Sequence, residues 1–294
     1  MIGMSVMKNL VINADDFGLS KSVNRGIIES FQNGAVTSAS LMVNMPGFED
    51  ATSLIAANPS LSVGLHINLL RGESVLCPNG LNKSNGNRFF DGNPWPLLTK
   101  INDAGLKEIE KECRAQVEKA LRNNVKITHL DSEKNVHMIP KVFQLFVRIA
   151  RDYQIKWVRN INENIFLSAG KLGLLDCLST RYLISKYFSI IFQENRNYAE
   201  KNHVKTTDFL FGFFDGGGMT VRKLEKAMDV LQEGTTEMVC HPGYIDDEWN
   251  KYPLNKERYY INQRREPEVR LLKSQLLKEL IKRENINLTS YRDL

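Results

Sequence analysis

Short apolar runs alternate with longer amphipathic stretches along most of this chain. Leu10-Val11-Ile12 reads as a first strand and runs into Asn13-Ala14-Asp15-Asp16-Phe17-Gly18. After Ser20, the residues Val23, Ile27, Ile28 and Phe31 recur at helical spacing. Val36 to Val43 is β-branched and apolar, a second strand ended by Pro46-Gly47. Phe48 to Ala57 predicts a short helix stopped by Asn58-Pro59, and Leu61 to Ile67 a third strand with His66 at its end. Leu106 to Asn123 predicts a helix of mixed charge. Ile127 to Leu130 is a fourth strand leading into Asp131-Ser132-Glu133, Pro140 to Tyr153 a helix, and Ile155 to Val158 a strand that delivers Arg159. Thr220 caps a helix from Val221 to Gln232, and Glu237 to Cys240 is a short strand ending in His241-Pro242-Gly243. Val269, Leu272, Leu276 and Leu280 fall on one stripe of a last helix, followed by a closing strand at Ile286 to Leu288.

Two stretches break the rhythm. Residues 71–100 are rich in turn formers, such as Cys77-Pro78-Asn79-Gly80 and Asp91-Gly92-Asn93-Pro94, with scattered aromatics. So long a segment without periodicity predicts a functional loop or lid. Residues 160–205 contain an apolar helical run, Leu172 to Phe192, which predicts an excursion packed over the rest, and a sharp turn is expected at Asp215-Gly216-Gly217-Gly218. There is no internal repeat. Strands alternating with helices predict an α/β fold, a single barrel domain over 1–294.

Composition narrows the function classes. The chain is 42% hydrophobic and 25% charged, ordinary for a globular protein. The net charge of +5 is small and its lysines and arginines are dispersed, so neither nucleic acid nor a membrane surface is indicated as partner. Four cysteines stand far apart with no CxxC pair, which points to a reducing, cytoplasmic setting. No signal peptide is expected at the N-terminus, and no run approaches the ~18 apolar residues of a membrane helix. A homodimer is left open.

The chemistry concentrates at predicted strand ends. Adjacent strand residues point to opposite faces, so Asp15 and Asp16 can serve one site only if the strand stops or bends, which Gly18 is placed to allow. Such a pair suits a hydrolytic metal site with one ligand and one base, or a plain turn with a helix-capping aspartate. Of the five histidines, His66, His129 and His241 sit at or just past strand ends. In a (β/α) barrel those ends form one rim, where Asp15, Asp16, His66, Glu133 and His241 would converge. His129, Asp131 and Glu133 share a parity and could face inward, or Glu133 could lie in solvent. His137 could approach the site or orient a substrate, and His203 reads as surface. Arg159 is either a positioning cation for Asp15 or Asp16 or a surface salt bridge. Phe89, Phe90, Trp95, Trp249 and Tyr252 could stack on a ligand or pack locally.

Five motifs in order, NADDFGLS at 13–20, VTSASLMVN at 36–44, GLHINL at 64–69, THLDSEKNVHMIP at 128–140 and MVCHPGY at 238–244, resemble the YdjC-like carbohydrate deacetylases. The terminal SYRDL at 290–294 resembles the end of such proteins. The resemblance covers most of the chain and is weakest at 71–100 and 160–205. It implies an irregular (β/α) barrel of the polysaccharide-deacetylase type and removal of an N-acetyl group from a sugar or oligosaccharide. It also implies a divalent metal held by Asp16, His66 and position 133, with Asp15 as base and His241 as acid. The two aspartate roles are interchangeable on sequence. Arg159 and His137 would bind substrate.

Where the family commonly reads DSHxHVH, this chain has Asp131-Ser132-Glu133-Lys134-Asn135-Val136-His137. The third ligand would therefore be Glu133 rather than histidine. A second carboxylate lowers the charge of the site and moves its preference towards harder ions, magnesium first, with manganese or zinc as alternatives. Two other readings stay open: hydrolysis of a different amide or ester, and a non-catalytic sugar-binding protein with a degraded site.

Overall fold

The structure is a computed structural model that describes residues 7–76, 102–163, 180–213, 218–245 and 264–294. Eight strands are present among these: β1 (Lys8–Phe17), β2 (Ser38–Leu41), β3 (Ser62–Ile67), β4 (Ile127–Ser132), β5 (Trp157–Val158), β6 (Phe209–Phe211), β7 (Gly234–Cys240) and β8 (Asn287–Thr289). Every pairing is parallel, in the order β5-β4-β3-β2-β1-β7-β6, with β8 on β1. The ends of this path are bridged locally. The Leu210 N–H donates to the Asn162 carbonyl at 3.1 Å, and Trp157 forms a bridge with Lys205. The result is an α/β fold, an irregular (β/α) barrel, whose parallel strands all end on one rim.

The helices follow the predicted order: α1 (Lys21–Gln32), α2 (Phe48–Ala57), α3 (Asp103–Arg122), α4 (Pro140–Asp152), α5 (Thr180–Lys201), α6 (Val221–Asp229), α7 (Arg265–Leu272) and α8 (Gln275–Arg283). Ser20 caps α1 by accepting the Val23 N–H at 3.2 Å, and Thr220 caps α6. The last apolar stripe is divided between two helices. It is broken after Leu272, where Ser274 accepts the Leu277 N–H and starts α8. A capping serine inside a periodic run competes for the backbone and can end one helix and begin another. Strand β6 (Phe209–Phe211) has no counterpart among the strands that the sequence pattern predicts. The expected lid lies mostly outside the described residues, as do the first part of the 160–205 excursion, residues 215–217 of the sharp turn, and the five aromatics Phe89, Phe90, Trp95, Trp249 and Tyr252.

Two irregularities in the sheet position the site. Between Ala14 and Phe17, β1 carries one more residue than the facing segment of β2 from Ala39 to Leu41. The extra residue makes a bulge at Asp15-Asp16. Between Val63 and Leu65 of β3, the partner β4 likewise gains a residue, at Thr128-His129. Gly64 faces that second bulge, where an added Cβ would lie 2.3 Å from the His129 ring.

Candidate active site

The bulge in β1 answers the geometric difficulty of two adjacent aspartates. Asp16 adopts a left-handed backbone, φ 70°, and Gly18 follows at φ 90°, where a Cβ would approach the Met42 carbonyl to 2.5 Å. Both carboxylates therefore reach one small cleft, lined by Asp15, Asp16, His66, Glu133, Lys134, Asn135, Leu210, Gly212, Phe213, Val239 and His241. Lys134 and Asn135 also have positive φ, in the short 3-10 segment Glu133–Met138 that turns the chain away after β4.

His66, Asp16 and Glu133 come together from three strand ends. His66 Nε2 lies 3.9 Å from Asp16 Oδ1 and 3.5 Å from Glu133 Oε2, and the three donor atoms fall within 4.8 Å of one another. Glu133 is buried, which removes the solvent-facing alternative. On its other side, His66 Nδ1 donates to Asp131 Oδ1 at 2.6 Å. That bond orients the ring so that Nε2 faces the cleft. Burial by itself would lower the His66 pKa, but Asp131 and Asp15 raise it well above the usual imidazole range.

Beneath this cluster lies a charge network. Arg159 is fully buried and forks onto Asp15 (Nη1–Oδ2 2.8 Å, Nη2–Oδ1 2.7 Å) and onto Glu237, and its Nη2 lies 2.9 Å from Asp131. Asn13 adds a hydrogen bond to Asp15 at 2.8 Å. Burial would raise the Asp15 carboxyl, and Arg159 more than offsets it, holding Asp15 below its ordinary value. Asp131 is lowered further against the same burial, by Arg159 and His66. Burial prevails at Glu237, whose pKa is raised in spite of Arg159. Asp15, His66 and Asp131 also form an ion-sized group, but the Arg159 guanidinium already spans its two carboxylates.

Arg159 and His137 are not among the residues lining the cleft. The His137 imidazole is fully buried, with Nδ1 on Ser132 at 2.7 Å and Nε2 on the Arg159 carbonyl at 3.1 Å. Burial pushes its pKa down to about 3. The surface-salt-bridge alternative for Arg159 is excluded by its burial. His129 is packed away against Ser40, Thr128 and the Tyr291 ring, and burial lowers its pKa to about 4. His203 is exposed.

His241 lies across the cleft at the end of β7. Its backbone N–H donates to Glu268 of α7 at 2.6 Å, and Glu268 also accepts the Met219 N–H. Its buried Nδ1 has no hydrogen-bond partner among the described residues. One helical turn away, Arg265 donates to Asp16 Oδ2. Sequence reasoning missed Glu237, Arg265, Glu268 and Arg71. A glutamate in the middle of the buried strand β7 was a usable signal, because a buried charge requires a partner. The other three carried no local sign.

Fold and cleft together define a class: an irregular parallel (β/α) barrel with a carboxylate–imidazole cluster on its C-terminal rim. The chain belongs to the YdjC-like protein family, which it matches over residues 9–283. It is 31% identical to a carbohydrate deacetylase of Thermoanaerobacter pseudethanolicus, over 97% of this chain and 98% of that one. It is 32% identical to another of Geobacillus stearothermophilus, over 96% of each. A solved structure described as a cellobiose-phosphate cleavage protein, from Enterococcus faecalis V583, superposes with a TM-score of 0.73 at 26% identity, covering 98% of both chains.

Proposed function

We propose that this protein is a metal-dependent carbohydrate deacetylase, a hydrolase that removes the N-acetyl group from an N-acetylated sugar or oligosaccharide. The observation that carries the reading is the meeting of Asp16, His66 and Glu133 within 4.8 Å, in a cleft also lined by Asp15 and His241. The names of the deacetylase relatives support the substrate class.

The donor set fits a divalent ion. Two carboxylate oxygens and an imidazole nitrogen converge, and the His66 Nδ1–H is already committed to Asp131, so Nε2 is the atom that would ligate. Two carboxylates with one imidazole favour magnesium or manganese over softer ions. Such an ion would supply Lewis-acid polarisation of the acetamide.

The remaining roles belong to side chains. Asp15 accepts the proton of the attacking water, held by Arg159 and Asn13 in one orientation and kept ionised at neutral pH. His241 donates a proton to the departing nitrogen, since an amide anion leaves poorly without one. Arg159 and His137 act from below the cleft: Arg159 positions Asp15, and His137 holds the Arg159 backbone. Two buried, unpaired cysteines, Cys113 and Cys240, agree with a cytoplasmic setting.

The test is acetate release from N-acetylglucosamine oligomers with added magnesium or manganese. Asp15→Asn should abolish release and leave the fold unchanged, and an active Asp15→Asn protein removes the assigned base. Phosphorylated cellobiose, assayed in parallel, separates this reading from glycosidic cleavage: sugar release without acetate release would overturn it.

A further inference from the structure

Each of the two carboxylates in the candidate metal centre is divided between the cleft and an arginine. Asp16 turns Oδ1 towards His66 Nε2 and gives Oδ2 to Arg265 Nη2. Glu133 turns Oε2 towards His66 Nε2, while its Oε1 lies 3.4 Å from Arg71 Nε. All four residues are 2% exposed. The two arginines come from opposite ends of the sequence, one from the segment after β3 and one from α7.

Both arginines are themselves held. The Arg71 N–H donates to Asn68 Oδ1, and the Arg71 carbonyl accepts from the amides of Asn44 and Asn68, each at 3.1 Å. Arg265 reaches the His241 carbonyl at 3.5 Å, and its Cδ packs against Gly243. Glu268, on the same helix face, anchors the His241 N–H. The Arg71 backbone and the Arg265 side chain are therefore anchored beside strand ends.

The chemical consequence is a limit on ligation. Calcium takes about 6–8 oxygens and commonly uses both oxygens of a carboxylate, whereas magnesium needs a small octahedral shell and accepts one oxygen per carboxylate plus water. We propose that Arg71 and Arg265 are positioning residues that set metal specificity: they confine Glu133 and Asp16 to one cleft-facing oxygen each and so turn the centre away from calcium and towards magnesium or manganese. The two guanidinium charges also offset the second carboxylate that Glu133 brings. The inference rests on the cluster being a divalent-ion site.

Calorimetric titration of the chelator-treated full chain with manganese, magnesium and calcium, without substrate, tests it. The unaltered protein should prefer manganese to calcium by at least ~10-fold. Arg265→Met and Arg71→Met should each shrink that preference by about tenfold, chiefly through gained calcium affinity, because the second carboxylate oxygen is released. Arg265→Lys and Arg71→Lys should restore most of the preference, and Arg265→Gln and Arg71→Gln take the place of any Met variant that does not fold. Folded Met or Gln variants with an unchanged manganese-to-calcium ratio, or with equal losses for all three ions, overturn the specificity role. An unaltered protein that binds none of the ions overturns the metal-centre reading itself.

Discussion

Asp131 accepts a hydrogen bond from His66 Nδ1 at 2.6 Å and lies 2.9 Å from Arg159 Nη2, so one carboxylate joins the candidate ligand to the buried cation beneath it. Partners of this kind fix the tautomer and direction of a ligating imidazole. Asp131→Asn should weaken manganese binding by about 10–100-fold, measured by calorimetry on the folded variant. Unchanged affinity would show that the ring is oriented without it.

Glu133 is the point at which this chain departs from the histidine that its family resemblance implies. Glu133→His should move ion preference from magnesium towards zinc, read by competitive titration. It also strands Arg71, whose ion pair with Glu133 is buried. Breaking such a pair costs about 3–5 kcal/mol, and Glu133→His combined with Arg71→Leu should recover much of that in urea unfolding.

Two buried imidazoles make stability fall in mild acid. His129 and His137 titrate near 6.5 when unfolded, and near about 4 and about 3 in the fold. Between those values the unfolded chain binds more protons, so their contribution is complete above pH 6.5 and is lost as pH falls through each folded value. Each group adds at most about 1.4 kcal/mol per pH unit in that window. His66, whose pKa is raised, acts above 6.5 instead, where its contribution is lost as pH rises. Glu237, also raised, opposes the slope just above 4.5. The measurement is therefore a comparison: urea unfolding between pH 7.5 and 4.5 in chelator should be flatter by one group in His129→Gln. Parallel profiles would contradict the buried, neutral state of His129.

Gly64 has no room for a side chain, since its Cβ would meet three atoms of the His129 ring at 2.3–2.4 Å. That ring cannot retreat, because it is stacked on Tyr291 at 4.0 Å and bonded to Ser40 and Thr128. Gly64→Ala should cost about 1–3 kcal/mol by overpacking, seen as a lower thermal midpoint. His129→Ser in the same chain should relieve most of it, and additive losses would show that the ring is not the obstacle.

The sequence by itself determined the alternation of strands and helices, the strand ends that carry Asp15, Asp16, His66, Glu133 and His241, and the cap at Thr220. These are local properties, written in period, capping residues and turn formers within a dozen positions. Tertiary structure decided the rest. The β1 bulge that lets neighbouring aspartates share a cleft is a mismatch in length against β2, which no single strand can reveal. Arg265 meets Asp16 only because α7 folds back over the rim, and Arg159 is a buried hub rather than a surface charge because three carboxylates from different strands surround it. A charged side chain looks alike in sequence wherever it lies. Its partner, and so its role, is settled by which distant strands the barrel brings beside it.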